Sequence, residues 1–318
     1  MKVVILERNT IGLDVPVTPI DVFGDVTVYG NTKPEEAAAH IGDAEIVIAN
    51  KCKLNATTMA GCENVKLICE FATGYDNIDL EYCKDKGIAV CNVAGYSTPA
   101  VVQHTFALAF YLLEHLPFYD RFVKDGTYGN LNGFSYFEKT FTELEGKTWG
   151  IVGMGNIGKG VAKVAESFGC KVICYSASGR SLEEGYHQVD FEELLAQSDF
   201  LSLHCPLTEK TKHLIDGAAL KKMKKTAILI NVARGPVVDN AALYEALCND
   251  EIAAAGLDVL EGEPITPDNP LGKIKDEDKL IITPHMAWAS TEARNRVVTE
   301  TVENIQAFLR GEKRNRII

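Results

Sequence analysis

Long apolar runs are missing from this sequence. None approaches the roughly 18 consecutive apolar residues of a membrane-spanning helix, so none is expected. The opening MKVVILE is one strand long and lacks the extended apolar segment and small-residue cleavage site of a secretory leader. Positive charge is also short. There are 32 Lys and Arg against 44 Asp and Glu, a net charge of −12, which argues against nucleic acid and anionic membranes as partners. A small anionic substrate is not excluded, because one local Arg outweighs a distant field at ordinary screening. The nine cysteines contain no C-x-x-C pair, and no metal site is read from them. Cys69, Cys91, Cys174 and Cys205 sit inside apolar strands, the pattern of reduced, buried thiols in a cytoplasmic protein. No fixed-period repeat and no low-complexity segment is present, which argues against a solenoid.

What is present is a glycine fingerprint in a specific context. The apolar run WGIVG reads as a buried strand. It ends in Gly153–Met154–Gly155–Asn156–Ile157–Gly158, a G-x-G-x-x-G, after which a helical pattern runs to about Phe168 and a second run, KVICYS, follows. That strand–turn–helix–strand order is the context in which this spacing binds a dinucleotide. Gly153 permits the tight turn, Gly155 the approach of a pyrophosphate, and Gly158 close packing of helix on strand. The helix N-terminus then faces the phosphates. An acid is expected at the end of the second strand to hold the ribose 2′-hydroxyl of NAD. Ser176 stands there instead, followed by Ala177, Ser178, Gly179 and Arg180, with no carboxylate in the run. Small hydroxyls and a guanidinium suit a 2′-phosphate, so NADP or dual NAD(P) use is expected ahead of strict NAD use.

The length of 318 residues suggests two domains. In the first hundred, KVVIL, VTVY, EIVIAN, KLICEF and IAVCNV read as strands, with helical patterns between them at 33–40 and 77–86. Thr98 is expected to cap a long apolar helix with Pro99 at its first position. From Pro117 to Gly146 the pattern breaks into an aromatic, glycine-rich connection, read as a subunit arm rather than an active-site lid. The second region carries six strands: WGIVG, KVICYS, DFLSLHC, TAILINV, IAAAGLDV and KLIITPH. With helices at 155–168, 191–197, 216–223 and 240–249 it reads as a doubly wound parallel sheet. A tail helix begins at Ser290 and stops at Gly311.

Ligands in open α/β sheets bind beyond the carboxyl ends of the strands. In the second region those ends carry His204–Cys205–Pro206, Asn231–Val232–Ala233–Arg234, Asp258 with Glu261 and Glu263, and His285. Arg, carboxylate and His at one edge suit hydride transfer to a carbonyl. Arg binds a carboxylate bidentately and polarises the adjacent carbonyl. His donates the proton that the developing alkoxide needs, with a carboxylate orienting the ring. The expected substrate is a small 2-oxo or 2-hydroxy acid.

These same stretches, GMGNIG, HCPLTEKTKHLI, INVARGPVVD, AAAGLDVLEGEP, ITPHMAWAS and ATGYDNIDL, resemble the D-isomer-specific 2-hydroxyacid dehydrogenase family over essentially the whole chain. The resemblance implies two Rossmann-like domains with a cleft between them: a discontinuous substrate domain, 1–98 and 290–318, and a dinucleotide-binding domain, 99–289. It implies Arg234 as substrate-binding, Glu263 as the carboxylate partner and His285 as the acid/base. Asp258 would hold the nicotinamide carboxamide, with Cys205, Pro206, Val232 and Ala233 lining the cofactor. Thr73, Gly74 and Tyr75 would offer backbone N–H groups to the substrate carboxylate, and Lys51 would stand near it. A homodimer is implied. HMAWAS, Asn50–Lys51 and GYST are most similar to the glycerate dehydrogenase (hydroxypyruvate reductase) branch, so hydroxypyruvate or glyoxylate is the expected substrate; D-lactate, branched 2-oxo acids and phosphoglycerate are the alternatives. A dinucleotide-sensing, corepressor-like binding protein is the alternative of another class. A formate-dehydrogenase-like reading is disfavoured because Glu263 is a carboxylate where that branch is expected to carry an amide.

Overall fold

The computed structural model describes residues 1–179 and 185–318; Arg180, the guanidinium expected at a 2′-phosphate, lies outside the described residues. Contacts divide the chain into two units, Met1–Ser97 with Trp288–Ile318, and Thr98–Ala287.

The first unit is built on five parallel strands: β1 (Lys2–Ile5), β2 (Asp25–Val28), β3 (Ile46–Ala49), β4 (Leu67–Glu70) and β5 (Ala89–Cys91), in the order β2-β1-β3-β4-β5. The central strands β3 and β4 are buried at every residue, and β2, at the edge, is largely exposed. That is why β3 and β4 read as continuous apolar runs rather than alternating ones. The helix Leu80–Asp85 starts later than its apolar pattern suggests, because the Asp79 side chain accepts the Tyr82 N–H and caps it there. The tail helix Thr291–Leu309 is capped by Ser290, buries Val297, Val298 and Ile305, and packs on β4.

The second unit holds seven parallel strands: β6 (Thr148–Val152), β7 (Lys171–Tyr175), β8 (His187–Gln188), β9 (Phe200–Leu203), β10 (Ile228–Asn231), β11 (Ala254–Leu257) and β12 (Leu280–Ile282). Their order, β12-β11-β10-β9-β6-β7-β8, reverses direction between β6 and β9. The switch point of a doubly wound sheet, where ligands bind, lies there. Trp149, fully buried on β6, stacks on Phe200 at 4.9 Å and donates Nε1–H to Ser202 Oγ at 2.9 Å.

Three expectations are corrected. The sheet has seven strands rather than six, because two-residue β8 is too short to leave a pattern. The long helix begins at Thr98 itself, with Pro99 second, so Thr98 is not outside it as a cap. The 117–146 segment is not irregular throughout: Leu116–Lys124 is helical, with Pro117 in its first turn, where the missing N–H costs nothing. Phe122 on that helix stacks on Tyr136 at 4.2 Å and on Phe118 at 6.1 Å.

Candidate active site

The three fingerprint glycines meet three different surroundings. At Gly153, φ is +94°, and a Cβ would fall 2.9 Å from the His204 carbonyl and the Cys205 nitrogen. A Cβ at Gly158 would fall 2.1 Å from the Gly153 carbonyl oxygen. Both glycines are demanded by packing within the protein. Among the described residues a Cβ at Gly155 would touch nothing within 4 Å, so the space they leave over that residue is open. Gly155 leads into the helix Asn156–Ser167, whose first turn receives no side-chain cap. Met154 and Gly158 are buried, and Gly155 and Asn156 are exposed. The turn therefore presents unfilled space and helix N–H groups together, the fit a pyrophosphate requires.

Beyond β7, Tyr175, Ser176, Ala177, Gly179, Gln188, Asp190 and Lys210 line a cleft of about 630 Å³. Ser176 Oγ lies 3.2 Å from Ser178 Oγ. The cleft is not free of carboxylate, as the local sequence suggests, because Asp190 reaches it from a later segment. One Asp190 oxygen accepts the Glu193 N–H at 2.8 Å and caps the helix Phe191–Gln197. Lys210, from the loop after β9, brings a cation that sequence reasoning missed.

At the next strand ends, Cys205 is buried and its thiol is pushed up to about 11 by desolvation. Pro206 beside it is exposed, and Val232 and Ala233 are buried. Burial pushes the neighbouring His204 imidazole down to about 3. Its Nε2 lies 3.0 Å from Ser202 Oγ, and its Nδ1 has no hydrogen-bond partner among the described residues.

Arg234 leaves a turn braced by Asn231. The Asn231 side chain accepts the Ala233 N–H at 3.0 Å and donates to the Arg234 carbonyl at 3.0 Å. Gly235 follows because its backbone lies against the 258–263 loop, where a Cβ would be 1.9 Å from the Leu260 carbonyl. That contact brings the arginine turn against the loop carrying Glu263. His285 Nδ1 lies 2.7 Å from Glu263 Oε2, and Glu263 Oε1 accepts the Leu260 N–H at 2.8 Å. Glu261, the other carboxylate of this loop, lies 2.9 Å from His213 Nε2 instead.

Asp258, 1% exposed, anchors the turn that carries His285. Its Oδ1 accepts from Thr283 Oγ1 (2.6 Å) and the Met286 N–H (2.8 Å), and its Oδ2 from the Ala287 N–H (2.8 Å). His285 sits at φ +53° and donates its backbone N–H to the Asp258 and Thr283 carbonyls. His104 Nε2 meets Thr283 Oγ1 at 3.0 Å. Thr283 and His104 escaped sequence reasoning; the only signal was the polar Thr283 inside an apolar strand end.

The remaining predicted residues belong to the first unit. Thr73 Oγ1 donates to the Val93 carbonyl at 2.9 Å, and the Thr73 carbonyl accepts from Asn92 Nδ2 at 2.7 Å. Gly74 is half-buried and Lys51 is exposed. The Lys51 N–H donates to Glu7 Oε2 at 2.8 Å.

Comparison with known proteins identifies the family. Residues 106–287 match the D-isomer specific 2-hydroxyacid dehydrogenase NAD binding domain. The chain is 36% identical over 317 residues to a hydroxypyruvate reductase of Blautia hydrogenotrophica, covering 98% of each chain. Among solved structures it is similar to D-lactate dehydrogenase from Aquifex aeolicus complexed with NAD and lactic acid (TM-score 0.85, 31% identity, 98% of this chain and 96% of that one). It is similar too to the acyclic imino acid reductase Bsp5 in complex with NADPH and D-Arg (TM-score 0.89, 33% identity, 100% of each chain). Family match, full-length identity and the His–Glu pair on a doubly wound sheet lead to one conclusion: the chain belongs to the D-isomer specific 2-hydroxyacid dehydrogenases, NAD(P)-binding oxidoreductases that act on CH–OH groups.

Proposed function

We propose that the protein reduces a small 2-oxo acid, hydroxypyruvate or glyoxylate, with His285 as proton donor. The observation that carries this reading is the 2.7 Å contact between His285 Nδ1 and Glu263 Oε2. With Nδ1 turned to the carboxylate, Nε2 is the nitrogen that gives the proton to the carbonyl oxygen. Arg234 binds the substrate carboxylate with its guanidinium fork and polarises the neighbouring carbonyl. Lys51, Thr73 and Gly74 are the substrate-binding residues we propose in the first unit. Gly153 to Gly158, Cys205, Pro206, Val232, Ala233 and Asp258 hold the dinucleotide, which supplies the hydride when bound.

Ser176 in place of an acid and Lys210 in the same cleft favour NADPH, or use of both cofactors. Nine cysteines without a disulfide suit a cytoplasmic protein. Phe134 and Phe137, 92% and 78% exposed, favour the 117–146 segment as the arm of a homodimer.

The test is steady-state reduction of glyoxylate, hydroxypyruvate, pyruvate and a branched 2-oxo acid, with NADH and NADPH side by side. Hydroxypyruvate or glyoxylate should lead in kcat/KM by about tenfold or more, the scale on which small pockets discriminate. Preference for the branched acid overturns the substrate assignment, and no turnover of any 2-oxo acid overturns the reading as a whole.

A further inference from the structure

Glu7 follows β1 at the carboxyl end of the first unit's sheet and is 7% exposed. Its Oε2 accepts three consecutive backbone N–H groups, from Asn50 at 2.9 Å, Lys51 at 2.8 Å and Cys52 at 2.8 Å. Successive N–H groups converging on one point form a concave anion site, usually filled by a ligand. Here the chain's own carboxylate fills it. Bonds to a charged acceptor are about twice as strong as neutral ones, so the 50–52 turn is held tightly although it has no regular structure.

A second tie reaches the same turn. Asn77 Nδ2 donates to the Cys52 carbonyl at 3.0 Å and to Glu70 Oε2 at 3.2 Å. Glu70 is fully buried at the end of β4, and its Oε1 has no partner among the described residues. Burial and the nearby Glu7 push the Glu70 carboxyl well above the usual carboxylate range.

We infer that Glu7 is a positioning residue: it fixes the Asn50–Lys51–Cys52 backbone so that the exposed Lys51 side chain, a proposed substrate contact, starts from one defined point. The inference rests on the proposed contact of Lys51 with substrate. Glu7 itself touches no substrate. Its effect passes wholly through the turn, which separates it from a residue that merely stabilises the fold.

The experiment is a double-mutant cycle of Glu7→Gln and Lys51→Met, read as KM and kcat for glyoxylate and hydroxypyruvate. Amide hydrogen exchange of residues 50–52 and NADH binding are measured on the same proteins. Glu7→Gln should raise KM about tenfold, the weight of one lost charge-assisted contact, with kcat within about threefold. Exchange at Asn50, Lys51 and Cys52 should accelerate more than elsewhere in the sheet, and NADH affinity should be unchanged. Lys51→Met should raise KM alone, and the double variant should match it, because both changes remove the same interaction. If Lys51→Met raises KM but Glu7→Gln does not, or if their effects add, the positioning role is overturned while the substrate reading of Lys51 survives. If Lys51→Met leaves KM unchanged, that reading fails and the inference with it. Should Glu7→Gln not accumulate folded, Glu7→Asp, which keeps the charge but withdraws it by one methylene, is read by the same criteria.

Discussion

The two sheets share a parallel, helix-connected plan and use its strand ends in opposite ways. In the second unit β6 runs into Gly153–Met154–Gly155 and a 12-residue helix whose first N–H groups receive no side-chain cap. In the first unit β1 runs into Glu7 and a 3-10 turn, Arg8–Ile11, with no glycine at the turn. There the convergent N–H groups of 50–52 are satisfied from within by the Glu7 carboxylate. The same architecture thus leaves one anion site open for a ligand and closes the other on itself. Among the described residues a Cβ at Gly155 would meet nothing within 4 Å. The NAD binding domain match, residues 106–287, falls on the second unit.

The largest effect is expected where the second unit's chemistry sits. His285→Ala should lower kcat by about two to four orders of magnitude, the usual weight of general acid catalysis. Cofactor affinity measured by NADH fluorescence should change little; near-parental turnover would remove His285 from the mechanism. Arg234→Lys keeps the charge but loses the bidentate fork. It should raise the KM for the oxo acid by about a hundredfold and lower kcat as well. A loss confined to cofactor binding would make Arg234 a cofactor ligand.

The cofactor cleft offers a finer test. Ser176→Asp places a carboxylate where a ribose 2′-hydroxyl is held and a 2′-phosphate repelled. The ratio of kcat/KM with NADPH to that with NADH should fall on the order of a hundredfold. An unchanged ratio would detach Ser176 from the ribose end.

The smallest effect is expected in the first unit, at Glu70. Its folded carboxyl is raised above the unfolded value, so the folded state binds the extra proton. Stability therefore declines as pH rises above the ordinary carboxylate range and toward the folded value. Glu70→Gln does not titrate there, so its Tm should fall less than the parent's as pH rises above the ordinary carboxylate range. Parallel Tm profiles would show that Glu70 does not titrate differently on folding.

Much of this was legible in the sequence, and what was not has a common cause. The fingerprint could be read because Gly153 and Gly158 answer to local packing at fixed spacing and the flanking strands are continuous apolar runs. Topology sends Arg234, His285 and the carboxylates Glu261 and Glu263 to one edge, and only the family resemblance singles out Glu263. The Asn231 brace on Arg234 is a contact three residues along the chain. Glu7 was not legible: its donors lie 43 to 45 residues away. Asp190 and Lys210 likewise reach the ribose cleft from separate segments. The Asp258–Thr283 anchor beneath His285 spans 25 residues, and a sequence period carries no trace of such a tie.

The most direct test of the contrast between the sheets is a titration of NADH and NADPH against Gly155→Ala and Glu7→Gln in parallel, with Tm recorded for both. A methyl at Gly155 enters space that the described residues leave empty, so Tm should stay near the parent's while dinucleotide affinity falls by about tenfold or more. Glu7→Gln should leave dinucleotide affinity unchanged. Unchanged affinity in Gly155→Ala, or a loss of dinucleotide binding in Glu7→Gln, would contradict the assignment of the open turn to the cofactor and the closed one to the substrate side.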